Sequence, residues 1–211
     1  MPKQFNKLTA IAAPIMRGNI DTDVIIRIER LVGNSIRGTL GKWAFGSLRY
    51  LPDGSENPDV ILNREPYRRA EILVTGPNFG CGSSREGAVW ALQEMGVRAI
   101  IGSGFGDIFF ANCFQNGILP IVVDKRIVDA LAADIEATQG AGRVGIDLEA
   151  QTIVSPSGQQ LAFEIDPRRR EGLLLGLDEV ALTLQRDNEI RAFQSNDRAA
   201  RPWIHSTQRP A

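Results

Sequence analysis

Apolar residues in this chain come in short runs whose spacing changes along its length. The first run, LTAIAA at 8–13, is apolar enough for a strand. Residues 14–23 carry Gly18, Asn19, Asp21 and Asp23 and read as a loop. The run VIIRI at 24–28 fits either a strand or the start of a helix. From 33 to 67 no period is sustained, and LPDGSENPD at 51–59 is loop. A stretch of that length without periodicity is often functional or mobile.

The middle of the chain is more regular. EILVT at 71–75 is a buried strand ended by Gly-Pro, and GPNFGCGSS at 76–84 is a glycine-rich turn. Over 85–95, Ala88, Ala91, Leu92 and Met95 recur at helical spacing until Gly96 stops them. A strand at 98–102, a helix at 107–115, a strand at 118–123 and a helix at 126–138 follow. Strand–helix alternation with short links predicts parallel βαβ units with right-handed crossovers, an α/β fold. Beyond Gly140 the pattern alternates and predicts antiparallel strands with a hairpin at 155–158. A last helix is expected at 177–184 with Asp178 as its cap. One domain over 1–194 is expected, followed by a polar, loosely ordered tail at 195–211.

Composition narrows the classes of function. With 211 residues, 43% hydrophobic and 23% charged, the chain is ordinary for a globular protein large enough to bury a core. A net charge of −1 offers no field for nucleic acid or an anionic membrane. No apolar run approaches the ~20 residues that span a bilayer, and the N-terminus is too weakly apolar for a signal peptide. The expected location is cytoplasmic. Two cysteines, Cys81 and Cys113, are too few for a disulfide framework or for a typical four-iron cluster. The one histidine, His205, lies in the polar C-terminal stretch, so triad and multi-histidine metal chemistry are not expected.

The stretch 76–86, GPNFGCGSSRE, follows a buried strand and opens a helix. Unpaired N–H groups at a helix N-terminus attract anions, and Gly80 and Gly82 permit close approach of a ligand to the backbone. Ser83, Ser84 and Arg85 add two hydroxyls and a guanidinium that can grip a carboxylate in bidentate fashion. The same spacing, Ser83 to Glu86, also fits an S-x-x-E capping box that only starts a helix. The loop lacks both the G-x-G-x-x-G spacing and the lysine of a phosphate-binding loop. A Rossmann-like nucleotide-binding module is therefore the weaker alternative. A structural subunit without catalytic residues is another.

Three stretches, NIDTDVII at 19–26, NFGCGSSRE at 78–86 with AVWAL after it, and GSGFGDIFFANCFQNGILPI at 102–121, resemble in order and spacing the motifs of the aconitase superfamily's swivelling domain. Among its members the chain is most similar to the small subunits of 3-isopropylmalate dehydratase, with DLEAQTI and GLDEVALTL resembling their C-terminal half. The resemblance covers roughly residues 8–192 and implies a three-layer swivelling β/β/α domain. It implies a large partner subunit that holds a [4Fe–4S] cluster through three cysteines, and no cofactor or metal on this chain. That cluster would act as a Lewis acid on a hydroxy-diacid substrate. By carry-over, Ser83 is the base that takes a proton from carbon, and Ser84 and Arg85 bind a substrate carboxylate. Arg17 stands where the aconitase pattern has a second substrate arginine. Asp21, Thr22, Asp23, Gly80 and Gly82 are supporting residues. Asp21, Thr22 and Asp23 are expected to bond their own backbone, with Asp21 or Asp23 orienting an arginine.

Two departures stand out. The family loop continues G-S-S-R-E-H, and here Gly87 takes the place of the histidine. Residues 27–30, RIER, replace a stretch that commonly contains proline. They leave open a paralogous hydro-lyase acting on another hydroxy-diacid, of the methylated malate or citraconate type.

Overall fold

The computed structural model describes residues 3–32, 37–82 and 85–205. The first apolar run is not one strand but two. β1 (Lys7–Ala10) alternates exposed and buried residues, while β2 (Ala12–Ile15) is buried almost throughout. The chain changes partners at Ile11, whose carbonyl accepts from the amides of Glu71 and Ile72. β1 then belongs to an antiparallel sheet and β2 to a parallel one.

The undecided run at 24–28 begins as a short helix, α1 (Thr22–Ile25), because Asp21 Oδ1 accepts from the amide of Val24 at 2.7 Å and caps it. The described part of the irregular stretch after it contains several single helical turns, among them α2 (Gly46–Arg49). The regular core follows as β3 (Ile72–Thr75), α3 (Glu86–Met95), β4 (Ala99–Gly102), α4 (Asp107–Gln115), β5 (Leu119–Val122) and α5 (Lys125–Ala137). β2, β3, β4 and β5 lie side by side in that order, all parallel. β3 and β4 are buried at every residue, the mark of strands covered on both faces. The two outer strands each contain a proline, Pro14 in β2 and Pro120 in β5; a residue without an N–H is tolerated at a sheet edge.

β6 (Val144–Asp147), β7 (Thr152–Val154) and β8 (Gln160–Ala162) complete the antiparallel sheet, ordered β1-β6-β7-β8. The β7–β8 hairpin turns at Ser155, whose amide bonds the Gln159 carbonyl. The C-terminal part is helical: α6 (Pro167–Leu175), α7 (Glu179–Leu184), α8 (Asp187–Ala200) and α9 (Pro202–His205). Asp178 does cap α7, accepting from Ala181 N at 2.8 Å. The boundary drawn at 194/195 falls inside α8, so the polar stretch expected to be loosely ordered is helical as far as His205.

A clasp joins the excursion between β2 and β3 to α3. The Glu94 carboxylate accepts from the backbone N–H of Gly38 (2.7 Å), Leu40 (2.6 Å) and Gly41 (3.3 Å). Gly41 lies so close that a Cβ there would sit 2.6 Å from the Glu94 carbonyl. Glu94→Ala leaves three amides without their acceptor. Charge-assisted bonds contribute about 1.5–3 kcal/mol each at most, and amides that regain water recover part of that. The expected cost is about 2 kcal/mol by urea unfolding of the isolated chain. A cost below ~0.5 kcal/mol would mean that the clasp is incidental.

Candidate active site

The loops that leave β2, β3 and β4 meet at the C-terminal ends of these parallel strands, where open α/β sheets bind ligands. They are stitched into a continuation of the sheet. On one side, Asn19 N donates to Pro77 O (2.9 Å), Gly80 N to Ile20 O (2.7 Å) and Thr22 N to Cys81 O (3.0 Å). On the other, Phe79 N donates to Gly104 O (3.1 Å) and Gly106 N to Phe79 O (2.9 Å). Two parallel bridges, Asp21 with Cys81 and Phe79 with Phe105, extend the ladder beyond the strands. Side chains add to it: Asn78 Nδ2 bonds Asn19 Oδ1 at 2.8 Å. The glycine-rich loop is therefore held by backbone on both flanks.

Gly80 fits here for two reasons. Its φ of 72° lies in the left-handed region, and a Cβ would stand 2.2 Å from the Phe109 ring. Gly82, at φ 88°, lets the chain pass Asp21, whose Cβ would be 3.2 Å from an added methyl. Phe79, fully buried, anchors the loop from below, edge-on to Phe109 with ring centres 5.5 Å apart.

Arg85 stands immediately before α3 and pairs with Asp23, which α1 presents from the neighbouring loop. The pair is part-exposed, so it contributes at most about 1 kcal/mol; its consequence is aim. A guanidinium carries five N–H donors, and binding Asp23 does not exhaust it. Asp21 caps α1, and Thr22 beside it is buried. Arg17 is exposed in the loop after β2, with its carbonyl pressed against Gly76. Ser83 and Ser84 lie outside the described residues. Helix α3 begins at Glu86, so Glu86 occupies the first helical position rather than the third that a capping box requires. Its carboxylate accepts from Asn116 Nδ2 at 2.9 Å instead.

A depression of about 320 Å³ opens beside this pair, walled by Asp21, Asp23, Val24, Arg27, Ile28, Glu29 and Ser47. It shares Arg27 and Ser47 with a groove of about 730 Å³ that also holds Arg30, Lys42 and Trp43. The Arg30 guanidinium lies 3.6 Å from the Trp43 ring centre. This face sets Arg27, Arg30 and Lys42 beside Asp21, Asp23 and Glu29, with Arg27 paired to Glu29 at 3.1 Å. Ser47 had no signal in the sequence; only the turn of α2 brings it here.

Three family models match. The aconitase C-terminal domain covers residues 2–126, and a LeuD_N model covers 129–167. The third, for the C-terminal domain of 3-isopropylmalate dehydratase small subunits, covers 179–206. A 3-isopropylmalate dehydratase small subunit from Gluconacetobacter diazotrophicus is 51% identical over 201 residues, spanning 95% of this chain and 96% of its own. One from Granulibacter bethesdensis is 50% identical over 209 residues, 99% of each. The chain belongs to the 3-isopropylmalate dehydratase small-subunit family. A solved 3-isopropylmalate dehydratase from Methanocaldococcus jannaschii shares the fold, with a TM-score of 0.62 at 23% identity, covering 89% of this chain and 99% of that one. The parallel sheet, antiparallel sheet and helices are those of the aconitase C-terminal domain type, as the motifs led us to expect. Membership in this family displaces the nucleotide-binding alternative.

The cysteines and the histidine sit as follows in this family member. Cys113, on α4, is completely buried, and burial pushes its thiol well above the ordinary range, so it is an inert core residue. Cys81 is half-buried in the ladder. Among the described residues no group of three or more His, Cys, Asp or Glu side chains is placed to hold a metal ion. His205 lies on α9, its Nε2 2.7 Å from Asp197 Oδ2. No helix of the described residues is long and apolar enough to cross a membrane. Leu31, which directly follows residues 27–30, packs on Gly87.

Proposed function

We propose that this chain is the small-subunit half of a hydro-lyase that interconverts 2- and 3-isopropylmalate by removing and returning water, a step of leucine biosynthesis. The [4Fe–4S] cluster is assigned to the large subunit, since two cysteines, one of them in the core, do not suit this chain to carry it. This chain's share is the substrate's carboxylates and the proton on carbon. Arg85 grips one carboxylate, with Ser84 beside it and Arg17 as a second cation. Ser83 takes the proton from carbon, while the hydroxyl leaves as water after receiving a proton on the large subunit's side. Water then returns with the opposite regiochemistry. Asp23 aims Arg85, Asp21 and Thr22 shape the α1 turn, and Gly80 and Gly82 bring the loop close. The observation that supports this reading best is the Arg85–Asp23 pair at the N-terminus of α3, where the loops from three strand ends converge.

Steady-state kinetics on Arg85→Lys, with the large subunit present, test it. An ammonium cannot reproduce a planar two-bond clamp, and charge-assisted bonds are worth about 1.5–3 kcal/mol. KM for isopropylmalate should rise at least about tenfold. The chain alone should show no turnover. An unchanged KM would remove Arg85 from the substrate.

A further inference from the structure

Gly87 is the second residue of α3 and is buried. The space its missing side chain leaves is filled. An added Cβ would stand 2.6 and 2.7 Å from the two δ-methyls of Leu31 and 3.2 Å from its Cγ. Leu31 closes the helical turn Ile28–Arg30, its amide bonding Ile28 O at 2.8 Å. That turn is the wall of the depression: Arg27, Ile28 and Glu29 line it together with Asp21 and Asp23. The chain thus leaves the Arg85–Asp23 pair along α1, turns through 28–30, and returns at Leu31 to α3 two residues beyond Arg85.

We infer that Leu31 is a positioning residue for substrate binding: seated on Gly87, it brackets the wall at 27–29 against the first turn of α3 and so fixes the spacing between that wall and Arg85. The inference rests on the reading of Arg85 as the substrate arginine.

The bracket holds a geometry used equally by bound substrate and transition state, so its loss should appear in KM rather than kcat. In the enzyme assembled at saturating large subunit, Leu31→Ala raises KM about tenfold with kcat within about twofold. Leu31→Met, which nearly conserves volume, keeps KM within about twofold of the parent. Gly87→Ala raises KM like Leu31→Ala, although alanine favours the helix. The double variant is no worse than either single one, because both break the same contact. Leu31→Ala decides the matter even if Gly87→Ala folds poorly. A Leu31→Ala enzyme that melts earlier but keeps its KM overturns the inference, leaving Leu31 as packing. If Arg85→Lys moves KM and Leu31→Ala does not, the bracket alone is wrong. If Arg85→Lys leaves KM unmoved, the reading of Arg85 fails and takes this inference with it.

Discussion

Ser83→Ala lowers kcat of the assembled enzyme by at least about 100-fold, the low end of what a positioned base contributes, and changes KM far less. A base acts on the proton in flight, so removing it damages the transition state and spares ground-state binding. Serine is a weak base unless its alkoxide is stabilised. The N-terminus of α3 and the Arg85 guanidinium supply positive potential in its sequence neighbourhood. The competing account makes Ser83 a helix cap. It predicts a stability loss of about 1 kcal/mol and intact turnover. Glu86 opens α3 and bonds Asn116 rather than standing at the third helical position of a capping box. Thermal stability and kinetics measured on one protein separate the two. Ser84→Ala should be measured beside it: a larger loss of turnover there would move the base by one residue. If neither variant slows turnover 100-fold, the proton is handled elsewhere.

Gly80→Ala is expected to destabilise the isolated chain by about 2–4 kcal/mol. A left-handed φ costs a non-glycine residue about 1–2 kcal/mol, and overpacking a closed core adds about 1–3 kcal/mol. The obstacle at Gly80 is the Phe109 ring, almost wholly buried and locked edge-on against Phe79. At this chain length each kcal/mol shifts Tm by about 2–4 °C, so a fall near 10 °C is expected. Gly54 gives the comparison: its φ is 85°, yet nothing lies within 4 Å of where its Cβ would go. Gly54→Ala should show the backbone cost alone. Equal losses at both positions would mean that Phe109 moves aside freely and that the loop is not braced from below.

The βαβ core was legible because β3 and β4 are short, largely apolar runs and the helix between them, α3, keeps its period up to Gly96. The split at Ile11 was not, since a six-residue run is too short to separate an alternating strand from a buried one. The start of α6 had its signals, an aspartate cap at Asp166 and a proline at the first helical position, but Arg168, Arg169 and Arg170 obscure its apolar side. α8 offered less: Phe193 and its neighbours stay exposed, so no buried stripe marks that helix. At the site, residue types could be read from 19–26 and 78–86, whereas the pairing of Arg85 with Asp23, 62 residues away, is a product of strand order. The contact of Leu31 with Gly87 belongs to the same class. A glycine in a helix's first turn hints that something presses there without saying what.

A subunit made as a separate polypeptide spends time alone before it meets its other half. During that interval an open sheet edge is a hazard, because any passing strand can zip onto it and seed a precipitate. Pro14 and Pro120 sit on the two outermost strands of the parallel sheet, and neither can offer a hydrogen to an incoming chain. The solitary small subunit thus carries, on each edge of its parallel sheet, one position at which an incoming strand finds no donor.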